Sequence, residues 1–471
     1  MNKKDLYEGV AHVDDEVLAR SEKKKRRSWW TAAAAAVMAV VIAGTYFFYP
    51  GGGTIVTNAI AEPAYPEMAQ FPDMSSGKFD DEGYEKWRND VRAQQRESGY
   101  ADGLEGFLTS GIQQFLSDSG EENKVYAPVN VYMALSMLAE VTDGNSRQQI
   151  LDLMGKDSIE ELRQQAGDIW NSHYRNDGAV TSILANSLWL NQDMKFVQDT
   201  LNTLANSYYA SSYQGEMGSE ELDKALQDWV NAQTGNLLKD QVSGLKMDKN
   251  TILALVSTVW FQAKWLNEFN PANNDTRTFH SPSGDMDCEF MNRSGTGVYY
   301  YGDGFSAVPQ YLDNQGGTMW FILPDEGVSL DQLLENQQVM DFILTGGKLE
   351  QQKYMIINFS TPKFDVSSKI DLKDGLQAMG ITDVFSEETS DFSPMLENSE
   401  GVFLSKAEHG ARVSIDEKGV TGAAYTAMMM AGAGRPPEEE IDFVLDRPFL
   451  FVVSASDGMP MFVGTVNQPA K

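Results

Sequence analysis

The sequence predicts an α+β fold with mainly antiparallel β-sheets, and three observations carry that prediction. Segments of helical period gather early in the globular part, segments of strand character gather late, and the two do not alternate as βαβ units would require. With 42% apolar and 11% aromatic residues, the 471-residue chain can bury a large core, which excludes disorder over most of its length.

The elements follow in order. Apolar residues at helical spacing (Phe107, Leu108, Ile112, Phe115, Leu116) predict a helix over 106–116. A buried helix is expected over 128–140, with Pro128 in the first turn, where a missing N–H removes no helical hydrogen bond. A third helix over 146–154 stops at Gly155. The continuous apolar run 182–190 reads as a central strand, followed by helices over 194–209 and 222–233 and a second central strand over 252–262. Beyond Val298 strand signals dominate, at 307–311, 319–323, 354–360, 443–445, 449–454 and 461–463.

Charge divides the chain. Lys and Arg number 37 against 68 Asp and Glu, a formal net of −31, which argues against nucleic acid as a partner because phosphates call for a basic face. Residues 1–27 are nevertheless basic on balance and end in Lys23-Lys24-Lys25-Arg26-Arg27. The uncharged run 28–49 follows, with Trp29-Trp30 at one end and Tyr46-Phe47-Phe48-Tyr49 at the other. Its length and aromatic ends suit a membrane-spanning helix; the basic block would keep 1–27 in the cytoplasm and put the rest outside. A cleaved signal peptide is the alternative, with Ala59-Ile60-Ala61 as a cleavage-like site, but that site lies well past the apolar run. Residues 50–103 open with Pro50-Gly51-Gly52-Gly53 and carry Pro63, Pro66 and Pro72. They read as an extended extracellular stalk, with 81–99 a short helix or more linker. Residues 104–471 form the globular domain. The expected localisation is a single-pass cell-membrane protein with its C-terminal domain extracellular.

Catalytic motifs are lacking: no nucleophile elbow, phosphate-binding glycine loop or HExxH pair occurs. Cys288 is the lone cysteine, and His12, His173, His280 and His409 lie far apart. Disulfides within the chain, a metal site and a redox motif are therefore not expected. No cofactor is implied, and the expectation is that the protein is not an enzyme.

One stretch breaks the pattern of a chain that is 22% charged: residues 419–434 contain neither a charge nor a proline. Val420, Gly422, Ala424, Thr426, Met428 and Met430 alternate with Thr421, Ala423, Tyr425, Ala427 and Met429. A strand with such faces can enter a sheet without burying a charge, and its glycines allow a hinge at one end. The stretch reads as built for two states, an exposed loop and an inserted strand.

The residues Val413-Ser414-Ile415-Asp416-Glu417-Lys418-Gly419-Val420-Thr421-Gly422-Ala423-Ala424 resemble the hinge of the reactive-centre loop of the serpin family. Further blocks match in order: 130–138, Ala185-Asn186-Ser187-Leu188-Trp189-Leu190, 229–234, 255–265, Pro362-Lys363-Phe364 and Asp446-Arg447-Pro448-Phe449. The resemblance spans residues 104 to about 466. It implies the serpin fold, with about nine helices and an exposed reactive-centre loop near the C-terminus. It also implies suicide inhibition, in which a protease cleaves the loop and is trapped as the loop inserts.

The resemblance assigns residues to roles. Glu417, Lys418, Gly419, Val420, Thr421, Gly422, Ala423 and Ala424 would form the hinge; Lys264 and Trp265 would lie at the breach, where insertion begins. Val420 stands where inhibitory members favour Thr or Ser, yet it is uncharged and β-branched, so insertion should survive. In the shutter, Ala127 and Asn130 replace two serines, Ser257 replaces an asparagine, and His409 matches; Asn130, Ser257 and His409 are expected to rebuild a polar cluster. The alternative for Asn130 is a plain helix cap. Counting 14 residues on from Gly419 puts the reactive bond at Ala433-Gly434. A small residue there suits elastase-like or subtilisin-like targets, with Met430 suiting a chymotrypsin-like one. The expected function is thus a monomeric extracellular inhibitor of serine proteases, tethered to the membrane through 28–49. The alternative is a non-inhibitory serpin acting as a surface scaffold or binding module.

Overall fold

The computed structural model describes residues 59–72, 80–94, 99–420 and 437–469. In chain order these form strand β1 (Ala59–Ala61), helices α1 (Asp81–Gln94) and α2 (Glu105–Leu116), β2 (Lys124–Tyr126), α3 (Pro128–Glu140), α4 (Gly144–Leu153), α5 (Ile159–His173), β3 (Arg175–Asn176), β4 (Thr181–Asn191), α6 (Gln198–Ser207), β5 (Ala210–Gly215), α7 (Glu220–Gln233), α8 (Lys239–Val242) and β6 (Leu253–Lys264). Then come β7 (Asp275–Ser281), β8 (Gly284–Gly302), β9 (Phe305–Leu312), β10 (Gly317–Pro324), α9 (Leu330–Glu335), α10 (Gln337–Leu344), β11 (Gln352–Pro362), β12 (Phe364–Asp371), α11 (Lys373–Ala378), β13 (Glu408–Ile415), β14 (Gly419–Val420), β15 (Glu440–Val444), β16 (Phe449–Ser454) and β17 (Pro460–Val466). From α2 onward the described residues hold ten α-helices, close to the nine expected.

Local chemistry explains the boundaries. Ser158 caps α5 by accepting the N–H of Glu161, and Glu160 and Glu161 in the first turn carry charges that suit the helix dipole. Ser219 caps α7 in the same way, through the N–H of Leu222. Helix α3 starts at Pro128 and is apolar and buried almost all round, as a helix enclosed between layers must be.

Two sheets sandwich that helix, which packs against β6 of one and β17 of the other. The first has eight strands in the order β1-β5-β4-β6-β14-β13-β12, with β3 added on β4. The second has nine, in the order β15-β11-β8-β9-β10-β16-β17-β2, with β7 added on β8. Pairing is mainly antiparallel, as expected; β4 with β5 and β11 with β15 are parallel. In the first sheet β4 and β6 pair from Thr181 opposite Gln262 to Leu190 opposite Leu253, and β12 and β13 from Phe364 opposite Ile415 to Asp371 opposite Glu408.

Residues 59–72, 80–94 and 99–103 fall within the expected stalk, and here they lie on the domain. Strand β1 forms the outer edge of the first sheet against β5. Tyr65 joins a stack with Trp170, Tyr174 and Tyr209, and Trp87 of α1 is buried. The aromatic residues supply the apolar area that makes this docking favourable despite the prolines.

The cell-membrane localisation is corrected. No helix among the described residues is long and apolar enough to cross a membrane. The run 28–49 that prompted the expectation lies outside those residues, as does residues 1–27.

Candidate functional site

The site is built where β14 enters the first sheet. A turn at 416–418 sends the chain back from β13, so that β14 lies between β13 and β6. Ile415 pairs with Val420 on one side; Gly419 pairs with Lys264 and Val420 with Ala263 on the other. All these pairings are antiparallel, which makes β6 and β13 parallel to each other with β14 between them. Among the described residues, β6 has no partner on this edge beyond Ala263 and Lys264, and β13 none beyond Ile415. Consistently, most of β6 is only half-buried, whereas the neighbouring β4 is buried nearly throughout.

Side chains and backbone hold the turn. The Asp416 carboxylate accepts the N–H groups of Lys418 at 2.8 Å and Gly419 at 3.1 Å, a local loop closure that Asp favours. Trp265 donates its indole N–H to the Asp416 carbonyl at 2.8 Å and its backbone N–H to the Lys418 carbonyl at 2.9 Å. Phe269 donates its N–H to the Glu417 carbonyl at 2.9 Å. The Glu417 carboxylate pairs with Lys363 at 2.6 Å and accepts from the Asn274 amide at 2.6 Å. Burial would raise the Glu417 carboxyl, but these charge-assisted bonds outweigh it and hold the group below its ordinary value. Burial also holds the Lys264 ammonium below its usual range. Gly419 is required by contact: a Cβ there would overlap the Ala263 carbonyl and lie 2.8 Å from Cα of Lys264.

Lower along the same two strands lies a polar group. Asn130 of α3 donates its amide to Ser257 of β6 at 2.7 Å, rather than capping its own helix. The His409 imidazole of β13 is buried and accepts the N–H of Ala127, at the start of α3, at 3.0 Å. Burial pushes it down to about 4, so it is neutral near pH 7 and its Nε2 is free of a proton to accept that bond. Asn130 and Ser257 are thus joined directly, while His409 binds the same helix through its backbone.

Sequence reasoning named Glu417, Lys418, Gly419, Val420, Lys264 and Trp265, and the structure brings these together. Thr421, Gly422, Ala423, Ala424, Ala433 and Gly434 lie outside the described residues. Asn274 and Lys363 were missed as hinge partners, because both are distant in sequence and only the fold brings them to Glu417; Asp416 adjoins Glu417 in the chain, but its role in closing the turn was not read. Among the described residues no cluster of His, Cys, Asp and Glu is arranged to hold a metal ion.

Among the described residues, two parallel strands, β6 and β13, are thus joined only through the two residues of β14. Comparison with known proteins gives the class. The family model described as "Serpin (serine protease inhibitor)" matches residues 104–469, and the chain belongs to that family. Serpins are inhibitors of proteases rather than catalytic enzymes, although some members do not inhibit. The alpha-1-antiproteinase of Rattus norvegicus is 28% identical over 378 residues, covering 78% of this chain and 89% of the relative. That of Ovis aries is 28% identical over 381 residues, covering 79% and 88%. Among solved structures, the thermophilic serpin tengpin in its native state superposes with a TM-score of 0.70 at 24% identity, covering 79% of this chain and 95% of that one. A thyroxine-binding globulin complex with thyroxine does so with a TM-score of 0.65 at 20% identity, covering 78% and 99%. These likenesses extend over the globular part, and at such identities the two structures speak for the fold.

Proposed function

We propose that this protein inhibits serine proteases as a suicide substrate, and that the loop after Val420 inserts between β6 and β13. The observation that carries this reading is β14, a two-residue strand already seated between them. Continued down β6 in the same register, Thr421 would meet Gln262, Thr426 would meet Ser257 and Met430 would meet Leu253. The uncharged run would then lie along the edge of β6 on which β14 begins. Antiparallel partners share a face, so Gly422, Ala424, Thr426, Met428 and Met430 would join buried Val420 on the side of α3, and Tyr425 would point away. No charge would be buried by this movement, and both edges of the new strand would gain hydrogen bonds.

The chemistry would belong to the protease. Its serine hydroxyl attacks the Ala433 carbonyl carbon, the Ala433–Gly434 bond breaks, and Gly434 leaves as a free amine. Insertion then draws the acylated Ala433 away from the hinge, by about 40 Å for a fully extended strand of that length. Distortion of the protease traps the ester. The small residue at the cut favours elastase-like or subtilisin-like enzymes; Arg435 is followed by Pro436, and such a bond resists trypsin-like ones.

A non-inhibitory role as a scaffold or binding module is the second reading, favoured by one observation: the fold also serves a globulin solved with thyroxine. Incubation with elastase, subtilisin and trypsin separates the two. An SDS-stable covalent complex should form with at least one enzyme; cleaved product alone with all three would contradict inhibition by trapping.

A further inference from the structure

We infer that Gly410 of β13 keeps a seat open for the ring of Tyr425 on the outer face of the first sheet, so that this glycine and this tyrosine lock the inserted loop; this rests on the insertion reading above. Ser257 and His409 mark the face of the sheet that meets α3. Side chains alternate along a strand, so their neighbours Thr258 and Gly410 lie on the opposite, outer face.

The register of β14 decides which residues would meet on that face. Val420 lies opposite Ala263 of β6 and opposite Ile415 of β13, so each step along the loop moves one residue down both strands. Ala423 would come between Trp260 and Arg412, Tyr425 between Thr258 and Gly410, and Ala427 between Val256 and Glu408. Sizes then alternate in step. The small Ala423 would enter between two large side chains, and Arg412 is already fixed there by donating to the Leu237 carbonyl at 2.7 Å. The large Tyr425 would enter between the smallest pair on these rungs. A slip of one residue would turn the ring toward α3, and a slip of two toward the hinge would drive it between Trp260 and Arg412.

Nothing among the described residues asks for a glycine at 410. It lies inside β13, exposed and paired with Lys369 of β12, with ordinary strand backbone rather than the left-handed conformation. A Cβ there would meet none of the described atoms within 4 Å, its chain neighbours aside. Glycine inside a strand weakens it and often marks a place that another group approaches closely. An aromatic ring directly across from such a glycine can lie over it and restore the missing packing. Tyr425 is the one aromatic residue of the uncharged run, and the register puts it opposite Gly410. The contact would form only on insertion, so it adds to the drive for insertion without stabilising the uncut chain.

The test uses the full chain with Tyr425→Ala, Tyr425→Phe and Gly410→Leu, the last accommodated in the uncut chain because its place is empty. Each is cut once in the loop, and thermal scans compare the cut and uncut forms. The seat predicts that Tyr425→Ala leaves the uncut transition unchanged and lowers the cut one by about 3–6 °C, the effect of one ring no longer buried. Tyr425→Phe, which keeps the ring, should match the wild type in both forms. Combined with Gly410→Leu, which fills the seat, Tyr425→Ala should lower the cut transition far less than it does alone. An unchanged cut transition in Tyr425→Ala, or an equal loss with and without Gly410→Leu, would overturn the seat. A wild-type chain whose transition does not rise on cutting would overturn the insertion reading and the seat with it, and that result is read before any variant is made.

Discussion

At Gly419 a single hydrogen stands where any side chain would strike the Ala263 backbone. Gly419→Ala should therefore push β14 off β6 and lower the native melting transition, with a destabilisation of roughly 1–3 kcal/mol measurable by denaturant titration. His409 gives a pH signature. Its unfolded imidazole titrates near 6.5 and its buried form at about 4, so the fold prefers the neutral ring. The stability this lends is whole above pH 6.5 and is lost as the pH falls toward 4, a total on the order of 3 kcal/mol. Calorimetry between pH 7 and 5, where most carboxylates remain ionised, should show a falling transition that His409→Gln flattens. Asn130 and Ser257 could be picked out from the chain because each sits in a matching block, and His409 because it matches the family's shutter histidine. Their bonds could not: that Asn130 turns to Ser257 instead of its own helix, and that His409 takes the Ala127 N–H, depends on how α3 crosses beneath the sheet.

Among elements, those with strong local signals were legible. Helices at 106–116 and 128–140 and strands at 182–190 and 252–262 stand within a residue or two of α2, α3, β4 and β6. The helix expected over 194–209 shortens to Gln198–Ser207, because Phe196 bridges Leu396 and Val197 donates its N–H to the Met395 carbonyl. Helices α5, α8, α9, α10 and α11 went unread, and α1 was left open between helix and linker; the polar faces of α1 and α5 dilute the apolar period, and α8, α9 and α11 run for only four, six and six residues. Strand β14 is too short to leave any signal, since its pairing is wholly tertiary. It nonetheless carries the sharpest prediction at this scale. Val420 is 3% exposed on the face of α3, so Val420→Arg would have to bury a charge for the loop to pass. The variant should still be cleaved by the target protease, while covalent complex on denaturing gels falls at least about tenfold.

For the molecule as a whole, the net charge of −31 and the absence of a catalytic constellation in the sequence direct attention away from chemistry and toward a change of state. Among the described residues, β6 and β13 of the first sheet are joined only through the two residues of β14, and the chain that follows is uncharged over a length matching β6. A strand continued from β14 would add hydrogen bonds along two edges and join two half-sheets into one. Thermal unfolding of the chain before and after a single proteolytic cut in the loop tests this most directly. The account predicts a transition raised by about 20 °C or more, as many added hydrogen bonds of about 1 kcal/mol each would produce. An unchanged or lowered transition in the cut chain would contradict it.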